Sequence, residues 1–416
     1  MSSRITFPNK STLLHRKLYH MNATLIWCSN ENALGNTATA FMQGLYPPSD
    51  PATAATLTNG SAQFNPLRGY QYVSVNGIPA DAPETIWLKG DQYCPTMAAA
   101  SQQYYHSSVF LNMQSQLQSF YDKFTPLLAG VFPSSEIGFQ SAYGIFDYLN
   151  VGYLHNQTIY GNITAGDLFQ LQTLADAQEL AKIYNVSSPL RSIGGQTLAA
   201  TILSTLNQTV SGTNPDIKLT YFATSYSIFQ AFFGISGLLD ASANFYGLPE
   251  YASIMSFEVH RPAPSAGSQN LFVRFSFRNG SDASAALTTF PLFGRTQIEA
   301  DIPWEQFVKG MSAISLSSQQ DWCAVCGMSN LTFCVAYGPS SSSSSRGKVN
   351  AVVAGFIGAA VAIALILLIE ALMGWAWYRR RHPVTSRRRS GHKRFDFGRK
   401  EIMLEDTSSV RRLTYE

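Results

Sequence analysis

The chain has 416 residues, 45% of them hydrophobic and 12% aromatic, which excludes a disordered protein and allows one large domain or two smaller ones. Its formal charge of +3 is uneven: residues 379–416 carry 12 Lys and Arg against 5 Asp and Glu, and the preceding residues carry 17 against 21. Positive charge confined to one tail, with few aromatic residues between the cations, argues against nucleic-acid binding.

The N-terminal segment, residues 1–27, lacks the apolar run of a secretory signal, so we expect this segment to be incomplete. The first predicted helix covers residues 37–47, where Ala38, Phe41 and Met42 share one face. A loop rich in proline, asparagine and glycine follows to about residue 84.

Three longer helices are predicted in the middle of the chain, because apolar residues recur there every three or four positions. Their ranges and apolar faces are 107–128 (Met113, Leu117, Phe120 and Phe124), 167–184 (Leu168, Leu171 and Leu174) and 194–208 (Leu198, Ile202 and Leu206). Gly194 and Gly195 open the third helix, which predicts close packing or a turn.

The stretch LTYFATSYSIFQAFFGISGLL, residues 219–239, predicts a short buried strand, a polar turn and a helix. Two alternating segments follow, residues 253–261 and 270–281, and both predict strands. Helices inserted among strands favour an α/β layer with an added helical sub-domain over a helical bundle or an all-β sandwich.

The five cysteines favour disulfides over a metal site. Cys323, Cys326 and Cys334 crowd one segment, Cys94 lies far upstream, and no second CxxC or HxxxH supplies regular zinc spacing. We therefore predict two disulfides among these four residues, with their pairing open, and Cys28 as the odd thiol; no metal or other cofactor is predicted.

The C-terminal part predicts a membrane anchor. A serine-rich stalk, residues 339–348, precedes a predicted transmembrane helix, residues 349–378. Its central 19 residues are uncharged and span about 28 Å, close to a bilayer core of about 30 Å. Arginines follow the helix, so residues 379–416 are predicted to be a basic cytosolic tail.

Glycosylation sequons support a single-pass type I membrane protein with a lumenal or extracellular body, because all of them precede the predicted helix. Their asparagines are Asn9, Asn22, Asn59, Asn156, Asn162, Asn185, Asn207, Asn279 and Asn330. The predicted partners are the bilayer and, at the basic tail, anionic lipid headgroups. Small residues on two faces of the helix, such as Gly355 and Gly358, would permit close helix approach in a homodimer, with an ordinary span rich in small residues as the favoured alternative.

Five sequence blocks carry a family resemblance: NTATAFMQGLYPP, NPLRGYQYV, SPLRSIGGQTLAATILSTL, the 219–239 stretch and WCAVCGMSNLTFC. Over residues 28–338 the chain resembles the fungal histidine acid phosphatases, the phytase-related branch of the phosphoglycerate-mutase-like superfamily, in a membrane-anchored subgroup. The resemblance implies an α/β phosphoglycerate-mutase-like sandwich with an inserted helical sub-domain. It also implies acid phosphomonoester hydrolysis through a phosphohistidine.

The residues that this chemistry requires do not carry over. No Arg-His-Gly-x-Arg-x-Pro nucleophile motif is present, and the position of a phosphate-binding arginine falls at Ala33. The His-Asp pair that holds the general acid falls at Ser225 and Tyr226. No catalytic residue is therefore identified, and activity is expected to be lost or impaired.

Two functions stay open from the sequence: an impaired acid phosphatase, and a non-catalytic cell-surface or wall-associated binding protein that retains the fold. Ser225 or Tyr226 as a replacement nucleophile would need an adjacent base, which no motif supplies. Arg191 is a candidate anion-binding residue at a helix start, with an exposed structural arginine as the favoured alternative.

Overall fold

The computed structural model describes residue 19 and residues 21–48, 55–63, 66–261, 270–282, 284–327 and 331–337. The chain divides into two compact units, Met1–Ser341 and Ser342–Glu416. All described residues belong to the first unit.

The described residues form short strands and many helices. The strands are β1 (Thr24–Ser29), β2 (Ala55–Thr56), β3 (Ala62–Gln63), β4 (Asn76–Ile78), β5 (Leu219–Ala223), β6 (Ile254–His260), β7 (Phe272–Arg278), β8 (Thr288–Thr289) and β9 (Asp301–Pro303). The helices are α1 (Asn32–Leu45), α2 (Pro66–Gly69), α3 (Ile86–Lys89), α4 (Pro95–Tyr105), α5 (Ser108–Asp122), α6 (Thr125–Leu128), α7 (Ala142–His155), α8 (Gln157–Asn162), α9 (Ala165–Ile183), α10 (Ile193–Ser211), α11 (Tyr226–Ile235), α12 (Leu238–Ala241), α13 (Trp304–Ile314), α14 (Gln319–Cys326) and α15 (Thr332–Val335).

Local sequence explains where several predicted helices begin and end. Ser107 caps α5 by accepting a hydrogen bond from the Phe110 amide, and Thr164 and Asp167 form a reciprocal capping box at the start of α9. The predicted helix over 107–128 is divided in two, because Pro126 lies in the first turn of α6 and cannot continue α5.

Two sheets carry the α/β part of the fold. The first has the order β4-β1-β5 with all strands parallel, and Cys28 of β1 lies opposite Ala223 of β5. The second is antiparallel, with β6 and β8 on either side of β7 and β9 also paired to β7. Within the described residues, β5 pairs only with β1, and β6 pairs only with β7.

One hydrophobic core covers a face of both sheets. It joins Phe222 of β5 and Phe257 of β6 to Leu198 of α10, Phe232 of α11 and Phe307 of α13. A second cluster fills the helical sub-domain, with Phe110, Tyr121, Leu149 and Leu171 among its buried members. The predicted α/β fold is therefore confirmed, and the helices of the second cluster pack around a core of their own.

Gly195 lies at a close backbone approach of α10 and α11. A β-carbon at this residue would lie 2.6 Å from the Ala231 carbonyl carbon and 2.6 Å from the Phe232 amide nitrogen, a separation that side chains do not adopt. The predicted close packing at this glycine pair is confirmed, and backbone contact fixes α11 against α10.

The disulfide prediction is also confirmed. Cys94 bonds Cys326, and Cys323 bonds Cys334, while Cys28 is a free, buried thiol in β1. The bonded cysteines form a small core with Trp322, whose indole N–H donates to the Gly90 carbonyl oxygen at 2.9 Å.

The packed body begins before the predicted boundary at residue 28, because β1 already begins at Thr24.

In the part of the chain that the structure describes, no helix is both long enough and apolar enough to cross a membrane. The predicted stalk at 339–348, transmembrane helix at 349–378 and tail at 379–416 lie outside the described residues.

Candidate functional site

The candidate site lies where β1 and β5 end side by side. After β1 the chain turns through Asn30 and Glu31 into α1, and after β5 it turns through Thr224 and Ser225 into α11. The carboxyl ends of adjacent parallel strands open onto a crevice, which is where α/β proteins place their ligands.

A cavity of about 1000 Å³ opens at these turns and continues along β5. Ala33 reaches it from α1, Thr224, Ser225 and Tyr226 reach it from the β5 turn, and Tyr143 reaches it from α7. The structure thus brings together the three positions at which the family resemblance places an arginine, a histidine and an acid.

Ser225 belongs to a short chain of hydroxyl groups. Its Oγ lies 2.9 Å from Ser227 Oγ, and Ser227 Oγ donates to Asp91 Oδ2 at 2.9 Å. The other carboxylate oxygen, Asp91 Oδ1, is buried and has no hydrogen-bond partner among the described residues. Asp91 contacts Ser227 and not Ser225, so Ser225 has no base within direct reach in this network.

Tyr226 donates its hydroxyl proton to a buried acid. Its OH lies 3.1 Å from Glu179 Oε2, and Glu179 Oε1 accepts from Lys182 Nζ at 2.5 Å. Burial, and then the Glu179 carboxylate, raise the pKa of Tyr226 above its ordinary value. The Tyr143 ring packs 4.9 Å from the Tyr226 ring. The phenol is therefore a weaker acid than a free tyrosine.

Lys89, a buried lysine near the end of β1, is held in an ion pair. Lys89 Nζ lies 3.1 Å from Glu31 Oε1, and the neighbouring Leu88 carbonyl accepts from Thr224 Oγ1 at 2.5 Å. Burial raises the pKa of Glu31, but hydrogen bonds and charge from Lys89 outweigh it and hold the pKa below its ordinary value. The charge on Lys89 is thus already balanced by the protein.

The described residues that line the cavity include no arginine and no histidine. Its basic lining residue is Lys218, just before β5, and the Lys218 ammonium donates to the Pro215 carbonyl. Three carboxylates line it as well, from Asp147, Glu250 and Glu258. The cavity therefore has more negative than positive side chains.

Arg191 lies outside this cavity and is buried, with 7% of its surface exposed. Its Nε donates to the Ala100 carbonyl at 2.9 Å, and its Nη1 donates to the Ala181 carbonyl at 3.0 Å. The favoured sequence interpretation, an exposed arginine, is therefore wrong. The guanidinium links α4 to α9, and anion binding by Arg191 stays a prediction.

Sequence reasoning missed the groups that hold the site residues in place. Asp91, Glu31 with Lys89, and Glu179 are isolated charges in the sequence, and no motif marks them. Tyr226 and Glu179 are 47 residues apart, and Ser227 and Asp91 are 136 apart. Their pairing becomes visible only in the fold. Across the described residues, no group of three or more His, Cys, Asp or Glu side chains is placed to hold a metal ion.

Comparisons with known proteins identify the family. The model of the histidine phosphatase superfamily (branch 2) matches residues 6–278. The phytase from Citrobacter braakii is 11% identical, with a TM-score of 0.48 over 72% of this chain and 81% of that one. The phytase from D. castellii is 14% identical, with a TM-score of 0.47 over 80% and 67%. A search of curated protein sequences found no match. The family match confirms the resemblance seen in the sequence blocks, and the chain belongs to branch 2 of the histidine phosphatase superfamily.

Proposed function

We propose that this chain is a membrane-anchored glycoprotein of the histidine phosphatase superfamily in which phosphomonoester hydrolysis is lost or severely impaired. One observation carries the proposal: the cavity at the ends of β1 and β5 has no arginine or histidine among its described lining residues. A phosphoryl group in transfer carries negative charge that fixed cationic donors must meet, and it needs an activated nucleophile.

The side chains at the three family positions cannot replace the missing groups. The Ala33 side chain has no hydrogen-bond donor, and Ser225 has no base within direct reach. Tyr226 already donates to Glu179, and its raised pKa makes it a poor proton source for a leaving alcohol. Loss of a general acid costs about 10² to 10⁴ in rate, and loss of one charge-stabilising donor about 10² to 10³.

A phosphomonoesterase assay of the full chain between pH 3 and 6 tests the proposal. We expect negligible turnover of an alkyl phosphate such as phytate and at most weak turnover of an aryl phosphate, whose leaving group needs little protonation. Ser225→Ala and Tyr226→Phe variants serve as matched controls. Robust hydrolysis of the alkyl phosphate that neither substitution reduces would place the catalytic centre elsewhere and overturn the proposal.

A non-catalytic binding protein is the second candidate, and the size and lining of the cavity favour it. About 1000 Å³ lies at the upper end of ordinary ligand sites, and apolar residues such as Leu206 and Phe229 line much of it. A ligand that binds there should raise the thermal midpoint of the full chain in proportion to its occupancy, whether or not any phosphate ester is hydrolysed.

The proposed topology is single-pass type I, with the body lumenal or extracellular and the tail cytosolic. Two disulfides in the body support an oxidising compartment. The seven sequon asparagines in the described residues are all exposed: Asn22, Asn59, Asn156, Asn162, Asn185, Asn207 and Asn279. We extend the proposal to contact between the basic tail and anionic lipids and to homodimers formed through the membrane helix.

Glycosidase treatment and protease protection in sealed vesicles test the topology. We expect a drop in apparent mass after deglycosylation and digestion of a C-terminal tag only from the cytosolic side. A tag that is digested from the lumenal side would reverse the proposed orientation.

A further inference from the structure

The carboxylates that line the cavity have no cation to balance them. They belong to Asp147 of α7, to Glu250 and to Glu258 of β6. Among the described residues, no lysine, arginine or histidine forms an ion pair with any of the three. Lys218, the lysine in the described lining, already donates its ammonium proton to the Pro215 carbonyl. The lining therefore carries an unbalanced negative charge.

The three carboxylates differ in how far their charge is screened. Glu258 lies opposite Arg274 in the register of β6 and β7, although the Arg274 guanidinium binds both carboxylate oxygens of Asp301 at 2.7 Å. Glu250 is exposed, so solvent and salt screen its charge. Asp147 is half-buried, and its charge is therefore screened less by solvent. Asp147 is the lining carboxylate with the strongest attraction for a bound cation.

Two further carboxylates contact lining residues without lining the cavity themselves. Glu179 accepts a hydrogen bond from the Tyr226 hydroxyl and is paired with Lys182. Asp176 accepts from the Leu248 amide at 2.8 Å, and burial raises the pKa of Asp176 more than this hydrogen bond lowers it. Neither group brings net positive charge to the cavity, so the surroundings do not offset the charge of the lining.

Asp147 is linked by contacts to three tyrosines of the lining. The Tyr251 hydroxyl donates to Asp147 Oδ1 at 2.7 Å. Tyr143 lies one helical turn before Asp147 in α7, and its ring packs 4.9 Å from the Tyr226 ring. Burial, and then the Asp147 carboxylate, raise the pKa of Tyr143, as expected for a phenol near a negative charge. We call these four residues, Tyr143, Asp147, Tyr226 and Tyr251, the tyrosine–aspartate cluster.

An organic cation matches this cavity better than a metal ion or an anion. Aromatic rings attract an ammonium group at their faces, and a carboxylate adds an ion pair. The described carboxylates are not gathered closely enough to hold a metal ion. An anion would meet the carboxylates without a free lysine or arginine in the described lining. Apolar residues such as Leu206 and Phe229 line much of the remaining volume, so a matching cation also carries an apolar body.

We infer that the cavity binds a small organic cation, with its ammonium group at the tyrosine–aspartate cluster and an apolar body in the part of the cavity that follows β5. Asp147 Oδ2 receives no hydrogen bond from the described residues and is the acceptor for the ammonium N–H. The inference rests on the second candidate function, ligand binding at this cavity, and names the chemical class of its ligand.

Ligands that share one apolar body and differ in charge test the inference. Phenylbutylamine, phenylbutanol and phenylbutyrate are titrated into the full chain in nanodiscs of zwitterionic lipid, and isothermal calorimetry measures each affinity at neutral pH. Empty nanodiscs give the background of binding to lipid. We expect the amine to bind at one site at least about tenfold more tightly than the alcohol, and no saturable binding of phenylbutyrate.

An Asp147→Asn variant gives an independent readout, because it removes the charge but keeps an oxygen that accepts from Tyr251. We expect the affinity for the amine to fall at least about tenfold and the affinity for the alcohol to change less than about twofold. The matched control is Asp122→Asn, at an exposed carboxylate of α5 outside the cavity, and it should leave both affinities unchanged. Thermal melting checks that both variants fold.

The aromatic contribution is tested at Tyr251, the exposed tyrosine of the cluster. Tyr251→Leu removes the ring, whereas Tyr251→Phe keeps the ring and removes only the hydroxyl. We expect the leucine variant to bind the amine about threefold more weakly than the phenylalanine variant, since one cation–π contact is lost. Equal affinities of the two variants would remove the ring of Tyr251 from the site.

Each of the following outcomes would overturn the inference. Equal affinities for the amine and the alcohol would show a cavity that selects only the apolar body, and the binding candidate would stand without its charge preference. Binding of phenylbutyrate alone, or of none of the three ligands, would exclude a cation site. An Asp147→Asn variant that still prefers the amine would exclude the tyrosine–aspartate cluster as the position of the cation. Loss of phosphate ester hydrolysis is measured separately, by the phosphomonoesterase assay.

Discussion

The helical sub-domain and the edges of β5 and β6 that line the cavity treat their polar groups in opposite ways. In the sub-domain, the buried Gln178 amide donates to the carbonyls of Phe139 and Gln140 at 2.7 Å and accepts from the Tyr143 amide at 3.3 Å. At the cavity, the described residues of β5 and β6 each pair with one neighbouring strand, so one edge of each strand has backbone groups without strand partners. We therefore expect stability to be concentrated in the closed region, the sub-domain, rather than in the open region at these strand edges.

We expect the largest loss of stability from removing the disulfide that joins the sub-domain to the C-terminal helices. Cys94 precedes α4 and bonds Cys326 at the end of α14, across 232 residues of chain. Replacing both cysteines by serine should lower the free energy of unfolding by about 5 kcal/mol, because a long loop is no longer closed in the unfolded state. Urea denaturation of both forms measures the change. A loss below about 1 kcal/mol would contradict the expectation.

A cavity made in the core of the sub-domain should lower the free energy of unfolding by somewhat less. Leu171 of α9 is fully buried in the second cluster, so Leu171→Ala should destabilise the chain by about 3 kcal/mol. Ser256→Ala in β6, at the cavity, is the matched control, and we expect a change within about 0.5 kcal/mol. Equal losses at the two positions would remove the distinction between a closed and an open region.

Removing the Gln178 amide tests the same distinction through hydrogen bonds. Gln178→Leu keeps the apolar bulk but leaves the Phe139 carbonyl without its Gln178 donor in a buried setting. We expect a loss of about 2 kcal/mol, since a buried polar group without a partner costs about 1–3 kcal/mol. Denaturation at neutral pH measures it, and an unchanged midpoint would mean that water replaces the amide.

The smallest effect is expected at the Glu31–Lys89 pair beside the site, and it depends on pH. The folded-state pKa of Glu31 is lower than the ordinary value of 4.5, so the pair contributes stability above pH 4.5 and loses it as the pH falls further. Glu31→Gln should cost less than about 1 kcal/mol at pH 6, because the Glu31 side chain is 42% exposed.

Comparison of the two proteins at pH 3 completes that test. The difference between Glu31→Gln and wild type should shrink there, because protonation removes the charge on the wild-type carboxylate. A difference that grows on acidification would mean that the sign of the linkage is wrong.

Sequence patterns predicted the helices better than the strands around the site. The long helices α9 and α10 have regular apolar spacing, and β6 and β7 alternate, so all four were found close to their observed ranges. The six residues of β1 carry no comparable period and were missed. The α7 helix was also missed, because its glycine, asparagine and tyrosine residues are weak helix formers.

The candidate site also has a part that could be predicted from the sequence and a part that could not. The positions of Ala33, Ser225 and Tyr226 could be predicted because they lie within recognisable sequence blocks, and the structure brings them to one cavity. The unpaired edges of β5 and β6 could not be predicted, because an open edge depends on which strands pair, and pairing is a property of the fold.

The close backbone contact at Gly195 also means that this residue sets how near α11 lies to α10, beside the crevice. Any side chain at Gly195 would push α10 and α11 apart, since even a β-carbon would lie 2.6 Å from the Ala231 carbonyl carbon. Ser225 and Tyr226 lie at the start of α11 and would move with that helix. Gly195 does not line the cavity, yet we expect its substitution to alanine or valine to change the cavity by shifting these two residues.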